Sequence, residues 1–197
     1  MNKKYRKKYE AVVIGVSAGG TNALKMILSS MPADFSLPVI IVQHLHPNSK
    51  NDMPDLYNDS CRLKVKQADE KEGIVRGCIY FAPPNYHLLV EDDRTFSLSV
   101  EAPVNFSRPS IDVLFESASD VYGASLIGVV LTGANNDGSR GLKKIKDGGG
   151  LTIVQDPDTA EYPSMPTSAI AASKIDYVVP LEDIVSVIVK LSETGVG

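Results

Sequence analysis

Cysteine and histidine are scarce in this sequence, and no hydrophobic run is long. Only Cys61 and Cys78 are present. They show neither metal-ligand spacing nor companion cysteines, which argues against a disulfide framework or a zinc site and leaves two free thiols, packed or half-buried. No apolar run approaches the roughly 20 residues needed to span a bilayer, and the lead-in MNKKYRKKYE opens onto a stretch too short and too strand-like for a signal peptide. The expectation is a cytoplasmic protein with no membrane insertion. Basic patches interleaved with aromatics are also missing. Lys3, Lys4, Arg6, Lys7 and Lys8 crowd the first ten residues, while the 197-residue chain as a whole carries a formal charge of −4. That pattern reads as a solvated basic tail over residues 1–10 and speaks against nucleic-acid binding. No repeat, low-complexity segment or linker divides the remainder, so residues 11–194 are expected to form one domain.

What is present is an alternation of short β-branched runs with amphipathic stretches. AVVIGVS (11–17), PVIIVQH (38–44), SLIGVVLTG (125–133), LTIVQD (151–156) and DYVVP (176–180) read as strands. Their continuous apolar character is what a parallel sheet covered on both faces requires. Between them, residues 21–31, 108–123, 166–173 and 181–193 read as helices; in the second, Ile111, Leu114, Phe115 and Ala118 fall on one face and Gly123 supplies a stop. Residues 73–101 differ, with IYFAPP, HLLVE and FSLSV separated by turn signals, and are expected to form a small antiparallel excursion. The predicted fold is α/β: a doubly wound, mostly parallel, Rossmann-like sheet with a small antiparallel hairpin insertion.

The chemistry centres on Ser17. GVSAG (15–19) fits Gly-x-Ser-x-Gly, in which a sharp strand-to-helix turn exposes a hydroxyl. The same residues equally suit a glycine-rich anion loop or a helix cap near Thr21. The dinucleotide fingerprint is not met, since Ser17 stands where its second glycine belongs. A nucleophilic serine needs a base, and the chain holds three histidines. His44 ends the second predicted strand, where chemistry gathers in such sheets. His46, two residues on, reads as an exposed loop histidine, and His87 as structural or at a pocket rim. A carboxylate to orient the imidazole is available in LTGANNDGSRGL (131–142), where Asp137 follows the strand at 126–131; its alternative reading is the N-cap of a helix starting near Ser139. The chain order Ser, His, Asp is not that of the common α/β-hydrolases.

With these motifs in view, the sequence resembles the catalytic domain of the CheB-type chemotaxis protein-glutamate methylesterases. IGVSAGG, VQH, YFAPPNYHLLVE, RPSIDVLFESAS, LTGANNDGSRGL and QDPDTAEYPSMPTSAI are similar to that family's blocks in the same order, across nearly the whole chain. The resemblance implies Ser17 as nucleophile, His44 as general base and Asp137 as its orienting carboxylate. It also implies hydrolysis of glutamate methyl esters on cytoplasmic chemoreceptor helices, deamidation of glutamine as a secondary activity, and no metal or organic cofactor. Ala18, Gly19, Gly133, Ala134 and Asn135 are the expected oxyanion- and substrate-binding positions, with the backbone N–H of Ala18 and one from residues 133–135 as donors. Two departures touch these positions. Ala18 stands where the family commonly has threonine, and Ala134 and Asn135 stand where it commonly has methionine and glycine, a change that bears on pocket shape more than on backbone donors. Family members usually carry an N-terminal receiver domain; here about ten residues precede the first strand, so control is expected from a separate receiver protein or from receptor availability. The rival readings are a nucleotide- or phosphate-binding module and a catalytically idle receptor-binding adaptor.

Overall fold

The computed structural model describes residues 8–44 and 53–194; His46 and most of the basic tail lie outside the described residues. Nine strands and six α-helices follow one another along the chain among the described residues. They are β1 (Ala11–Val16), α1 (Gly20–Ser30), β2 (Val39–Gln43), α2 (Met53–Asn58), β3 (Lys64–Gln67), β4 (Cys78–Phe81), β5 (His87–Val90) and β6 (Phe96–Ser99), then α3 (Ile111–Tyr122), β7 (Leu126–Val130), α4 (Ser139–Asp147), β8 (Leu151–Gln155), α5 (Ser164–Ala172), β9 (Tyr177–Val179) and α6 (Ile184–Thr194). Seven strands form one sheet in the order β3-β4-β2-β1-β7-β8-β9, and every pairing in it is parallel. β5 and β6 make a separate antiparallel hairpin.

Alternation along the strands splits the core in two. Val12, Ile14, Val16, Val39, Ile41, Ile127 and Val129 face one side with Leu24, Ile27 and Leu28 of α1 and Ile184 and Ile188 of α6. Val13, Ile40, Val42, Tyr80, Val130 and Val154 face the other, with Leu114 and Phe115 of α3, Leu142 and Ile145 of α4, and Leu88, Val90 and Phe96 of the hairpin. Both faces are dry, which is why the strands read as unbroken apolar runs.

The middle of the chain departs from expectation. Cys78–Phe81, grouped above with the antiparallel excursion, is a parallel strand of the main sheet between β3 and β2, and only the following two segments form the hairpin. The reason is burial on both faces: Cys78 and Tyr80 enter one core, Ile79 and Phe81 the other. β3, unread in the sequence, is an edge strand with Lys64 exposed, and its polar residues hid it. α2 lies in a stretch to which the sequence pattern assigns no element.

The chain runs from β1 outward through β2 to one edge of the sheet, then returns to lay β7, β8 and β9 on the other side of β1. β1 and β7 therefore flank a topological switch point, where the loops at their carboxyl ends diverge and leave a crevice.

Candidate active site

Three strand ends meet at that crevice at one level. The β1–β2 ladder continues one residue beyond the strands, with the His44 N–H donating to the Val16 carbonyl at 3.0 Å. The Ser17 N–H likewise donates to the Thr132 carbonyl at 3.0 Å, extending the pairing of β1 with β7. Ser17, His44 and the 132–137 loop thus leave the sheet side by side.

Their side chains connect in series. His44 Nδ1 lies 3.2 Å from Ser17 Oγ, and His44 Nε2 lies 2.9 Å from Asp137 Oδ2. With Nε2 against the carboxylate, the neutral imidazole carries its proton there and presents the Nδ1 lone pair to the serine hydroxyl. The His44 side chain retains 11% exposure and Asp137 none. The Asn135 amide also reaches Nδ1, at the longer distance of 3.4 Å, while its Oδ1 accepts from the Asp137 N–H at 3.1 Å.

Asp137 does not cap its own helix. The N-cap of α4 is Gly138, with no side-chain cap. The Asp137 carboxylate instead sits at the N-terminus of α3, accepting from the Ile111 N–H (2.7 Å), the Asp112 N–H (3.1 Å) and Ser110 Oγ (2.9 Å), with Asn105 Nδ2 (3.0 Å) and the Gly138 N–H (3.1 Å) completing the set. Burial pushes its pKa up, but hydrogen bonds from His44, Asn105 and the Ile111 N–H outweigh burial and hold it below the usual carboxylate range. Asp112 returns the arrangement, accepting from the Gly141 N–H of α4 at 2.7 Å. Each helix is therefore capped by a carboxylate from the other's first turn or approach, where the helix dipole favours negative charge. Burial raises the pKa of Asp112, opposed by the Gly141 N–H and reinforced by the nearby charge of Asp137.

The turn holding Ser17 is shaped by close approach. Gly19 has φ +76, a left-handed conformation open to glycine, and is the N-cap of α1. A Cβ on Gly133 would lie 1.9 Å from Met165 Sδ and 3.0 Å from Ser17 Cβ, so any larger residue would collide beside the serine. The Gly133 N–H donates to the Tyr162 carbonyl at 2.9 Å. The Gly133 amide is thus committed to the Tyr162 carbonyl and is not available to an oxyanion. Thr132 Oγ1 donates to the Ala18 carbonyl (3.0 Å) and accepts from the Tyr162 N–H (2.9 Å), tying the serine turn to the loop before α5.

His87 is buried away from the series. Its Nδ1 accepts from the Ser110 N–H at 3.2 Å and its Nε2 meets the Ala102 carbonyl at 3.2 Å, which fixes the hairpin against the start of α3. Asn105, Ser110 and Asp112 were not singled out in the sequence, although a serine followed two residues later by aspartate at the head of an apolar helix is an N-terminus signal. Among the described residues no group of three or more His, Cys, Asp or Glu side chains could hold a metal ion, and no helix is long and apolar enough to cross a membrane.

A serine, an imidazole and a buried carboxylate in series at the switch point of a parallel sheet have the arrangement of a serine-hydrolase site on a Rossmann-like domain. The chain belongs to the CheB methylesterase family, whose profile matches residues 12–188. It is 56% identical over 187 residues to a Leptospira interrogans (strain Fiocruz L1-130) protein provisionally named a protein-glutamate methylesterase/protein-glutamine glutaminase, covering 95% of this chain and 97% of that one. A Clostridium acetobutylicum protein-glutamate methylesterase/protein-glutamine glutaminase is 38% identical over 92% of this chain, which spans 53% of that protein's length. Among solved structures, the Thermotoga maritima CheB methylesterase catalytic domain superimposes with a TM-score of 0.89 at 33% identity, covering 93% of this chain and 99% of that one. These likenesses favour neither a nucleotide-binding module nor an idle adaptor.

Proposed function

We propose that this protein hydrolyses the γ-methyl ester of glutamyl residues on the cytoplasmic helices of chemoreceptors, releasing methanol and restoring glutamate, and that Ser17, His44 and Asp137 carry the reaction. The observation that bears most weight is the hydrogen-bonded series from Ser17 Oγ through His44 to Asp137, in a chain with this family membership. Ser17 Oγ attacks the ester carbonyl while His44 Nδ1 takes its proton. The tetrahedral intermediate collapses, methanol leaves with that proton, and the glutamyl group remains esterified to Ser17. Water then attacks as His44 Nδ1 takes a proton from it; His44 gives that proton to Ser17 Oγ as the acyl bond breaks, and the glutamic acid formed releases its own proton to solvent as the γ-carboxylate. General acid–base transfer of this kind contributes about 10²–10⁴-fold.

Asp137 holds the ring with Nε2 protonated and stabilises the imidazolium as it forms. The oxyanion is received by the backbone N–H of Ala18, beside the N-terminus of α1, and by that of Ala134 or Asn135; removal of one such donor in other hydrolases slows the reaction about 10²–10³-fold. Glutamine deamidation follows the same steps with ammonia as the leaving group. Ser17 and its neighbours Ala18 and Gly19 are half-buried rather than enclosed, which suits a substrate that is itself a folded helix. The test is methanol release from membranes bearing methylated receptor. Turnover by the wild type that is absent in Ser17→Ala is the expected result; release at the same rate by both would refute the assignment.

A further inference from the structure

Asn105 lies between β6 and α3, in a tight turn closed by reciprocal hydrogen bonds between Val104 and Ser107. Both central residues are left-handed, Asn105 with φ 50 and Phe106 with φ 61. Asparagine tolerates that region better than most side chains. The turn sends its two side chains in opposite directions. Phe106 is fully exposed, whereas Asn105 Nδ2 lies 3.0 Å from Asp137 Oδ1 and 3.0 Å from Asp112 Oδ2. One nitrogen with two hydrogens bridges two buried carboxylates. A neutral amide is suited to this place, since it supplies a donor to each without adding charge, and the nearest cation to Asp112, Arg140, stands 3.8 Å away on the outside.

The crowding of Asp137 is uneven. Oδ1 accepts from Asn105, Ser110, the Asp112 N–H and the Gly138 N–H, while Oδ2 accepts from the Ile111 N–H and His44. The backbone donors and Ser110 belong to the helix start and to Asp137's own loop. Asn105 arrives from a separate turn and closes the remaining side. We propose that Asn105 is a positioning residue for the reaction, holding Oδ1 of Asp137 so that Oδ2 stays aimed at His44 Nε2 while the second carboxylate, Asp112, remains beside it. The inference rests on the proposed role of Asp137 in ester hydrolysis.

Two readouts keep its failure distinct from failure of that role. One is methanol release from methylated receptor membranes. The other needs no receptor: a fluorophosphonate labels an activated serine as Oγ bonds to phosphorus, fluoride departs, and the hydroxyl proton passes to the base. Asn105→Ala is expected to slow labelling of Ser17 and to lower kcat about 10- to 100-fold, with KM within about twofold, the effect of losing its hydrogen bond to the charged Asp137; the one to Asp112 is lost with it. Asn105→Asp places a third carboxyl beside two carboxylates, with Arg140 on the outer side of Asp112, so repulsion among the three favours a proton held within the cluster, and the variant donates one hydrogen to Asp137 only while protonated. That variant is expected to label faster than Asn105→Ala near pH 6 and to lose the advantage by about pH 9, a trend absent from the wild type. Phe106→Asn, in the same turn, should label at the wild-type rate. Wild-type labelling by folded Asn105→Ala would overturn the proposal. If Asn105→Ala does not fold, labelling by Asn105→Asp that follows the wild-type pH profile would overturn it instead. Slowed labelling in a protein that releases no methanol from receptors would uphold the positioning role and refute the substrate assignment.

Discussion

Ser17 and Asp137 stand at opposite ends of one hydrogen-bonded series and are held in different ways. Ser17 is half-buried on a turn between β1 and α1, and its hydroxyl meets His44 at 3.2 Å. Asp137 is fully buried, and its carboxylate accepts six hydrogen bonds, from His44, Asn105, Ser110 and the N–H groups of Ile111, Asp112 and Gly138. Among the described residues the Ser17 hydroxyl bonds only His44, and it is open to a substrate; the aspartate side chain joins α3 to α4 and belongs to the fold as much as to the chemistry. One series thus runs from a replaceable side chain to an irreplaceable one, and variants should separate activity from stability according to which end they touch.

The largest effect on rate is expected at the open end. Ser17→Ala should lower ester hydrolysis by at least about 10⁴-fold, because the nucleophile itself is lost, with no change in melting temperature. A large fall in its melting temperature would erase the contrast. At the buried end, Asp137→Asn should lower the rate by a comparable factor, about 10⁴-fold, by favouring the wrong imidazole tautomer. Asp137→Ala should additionally destabilise the fold by about 3–5 kcal/mol, as expected when a buried charge network loses one partner. Denaturant titration of Asp137→Ala beside Ser17→Ala sharpens the comparison directly; equal midpoints would break it.

A smaller effect is expected between the two ends. Gly133→Ala introduces a Cβ against Met165 and Ser17, and overpacking of this kind typically costs about 1–3 kcal/mol. It should also slow fluorophosphonate labelling, since the serine turn must shift; unaltered stability and labelling would show that Met165 yields freely.

The mildest expectation concerns acid. The pKa of Asp137 is depressed in the folded protein, so its contribution is fully present above the ordinary carboxylate value of about 3.9 and is lost as pH falls through the lower folded value. Asp112 has the opposite sign: its raised pKa favours protonation in the folded state, so its contribution declines as pH rises from the ordinary value to the raised one. Asp112→Asn should therefore steepen the loss of stability on acidification near pH 4, by removing the opposing group. Stability measured by denaturant from about pH 3 to 6 tests this; a shallower profile in Asp112→Asn would contradict the assigned signs.

Much of the fold was legible because buried parallel strands leave a plain record. AVVIGV, VIIV and LIGVV have no polar residue to place, and the glycines and serine after the first mark where the sheet stops. The sequence misplaced CIYF because a four-residue apolar run beside turn signals looks the same whether it enters a hairpin or a parallel sheet, and its partner β3 is written in lysine and glutamine. Ser17, His44 and Asp137 could be picked out because each follows an apolar strand, and such residues collect at one edge of a doubly wound sheet.

Composition and strand pattern by themselves therefore determined the class of fold, the edge at which chemistry gathers and the short list of side chains able to perform it, since these follow from local burial and from chain order. Which imidazole nitrogen faces the serine, which helix Asp137 caps, and that Asn105 and Asp112 share its surroundings were decided only by tertiary structure. Those facts depend on α3 and α4 meeting at their N-termini, so that residues 25 to 32 positions apart compete for one carboxylate. No periodicity in the chain records a contact of that kind, because it is fixed by how two helices pack and not by the face either one presents.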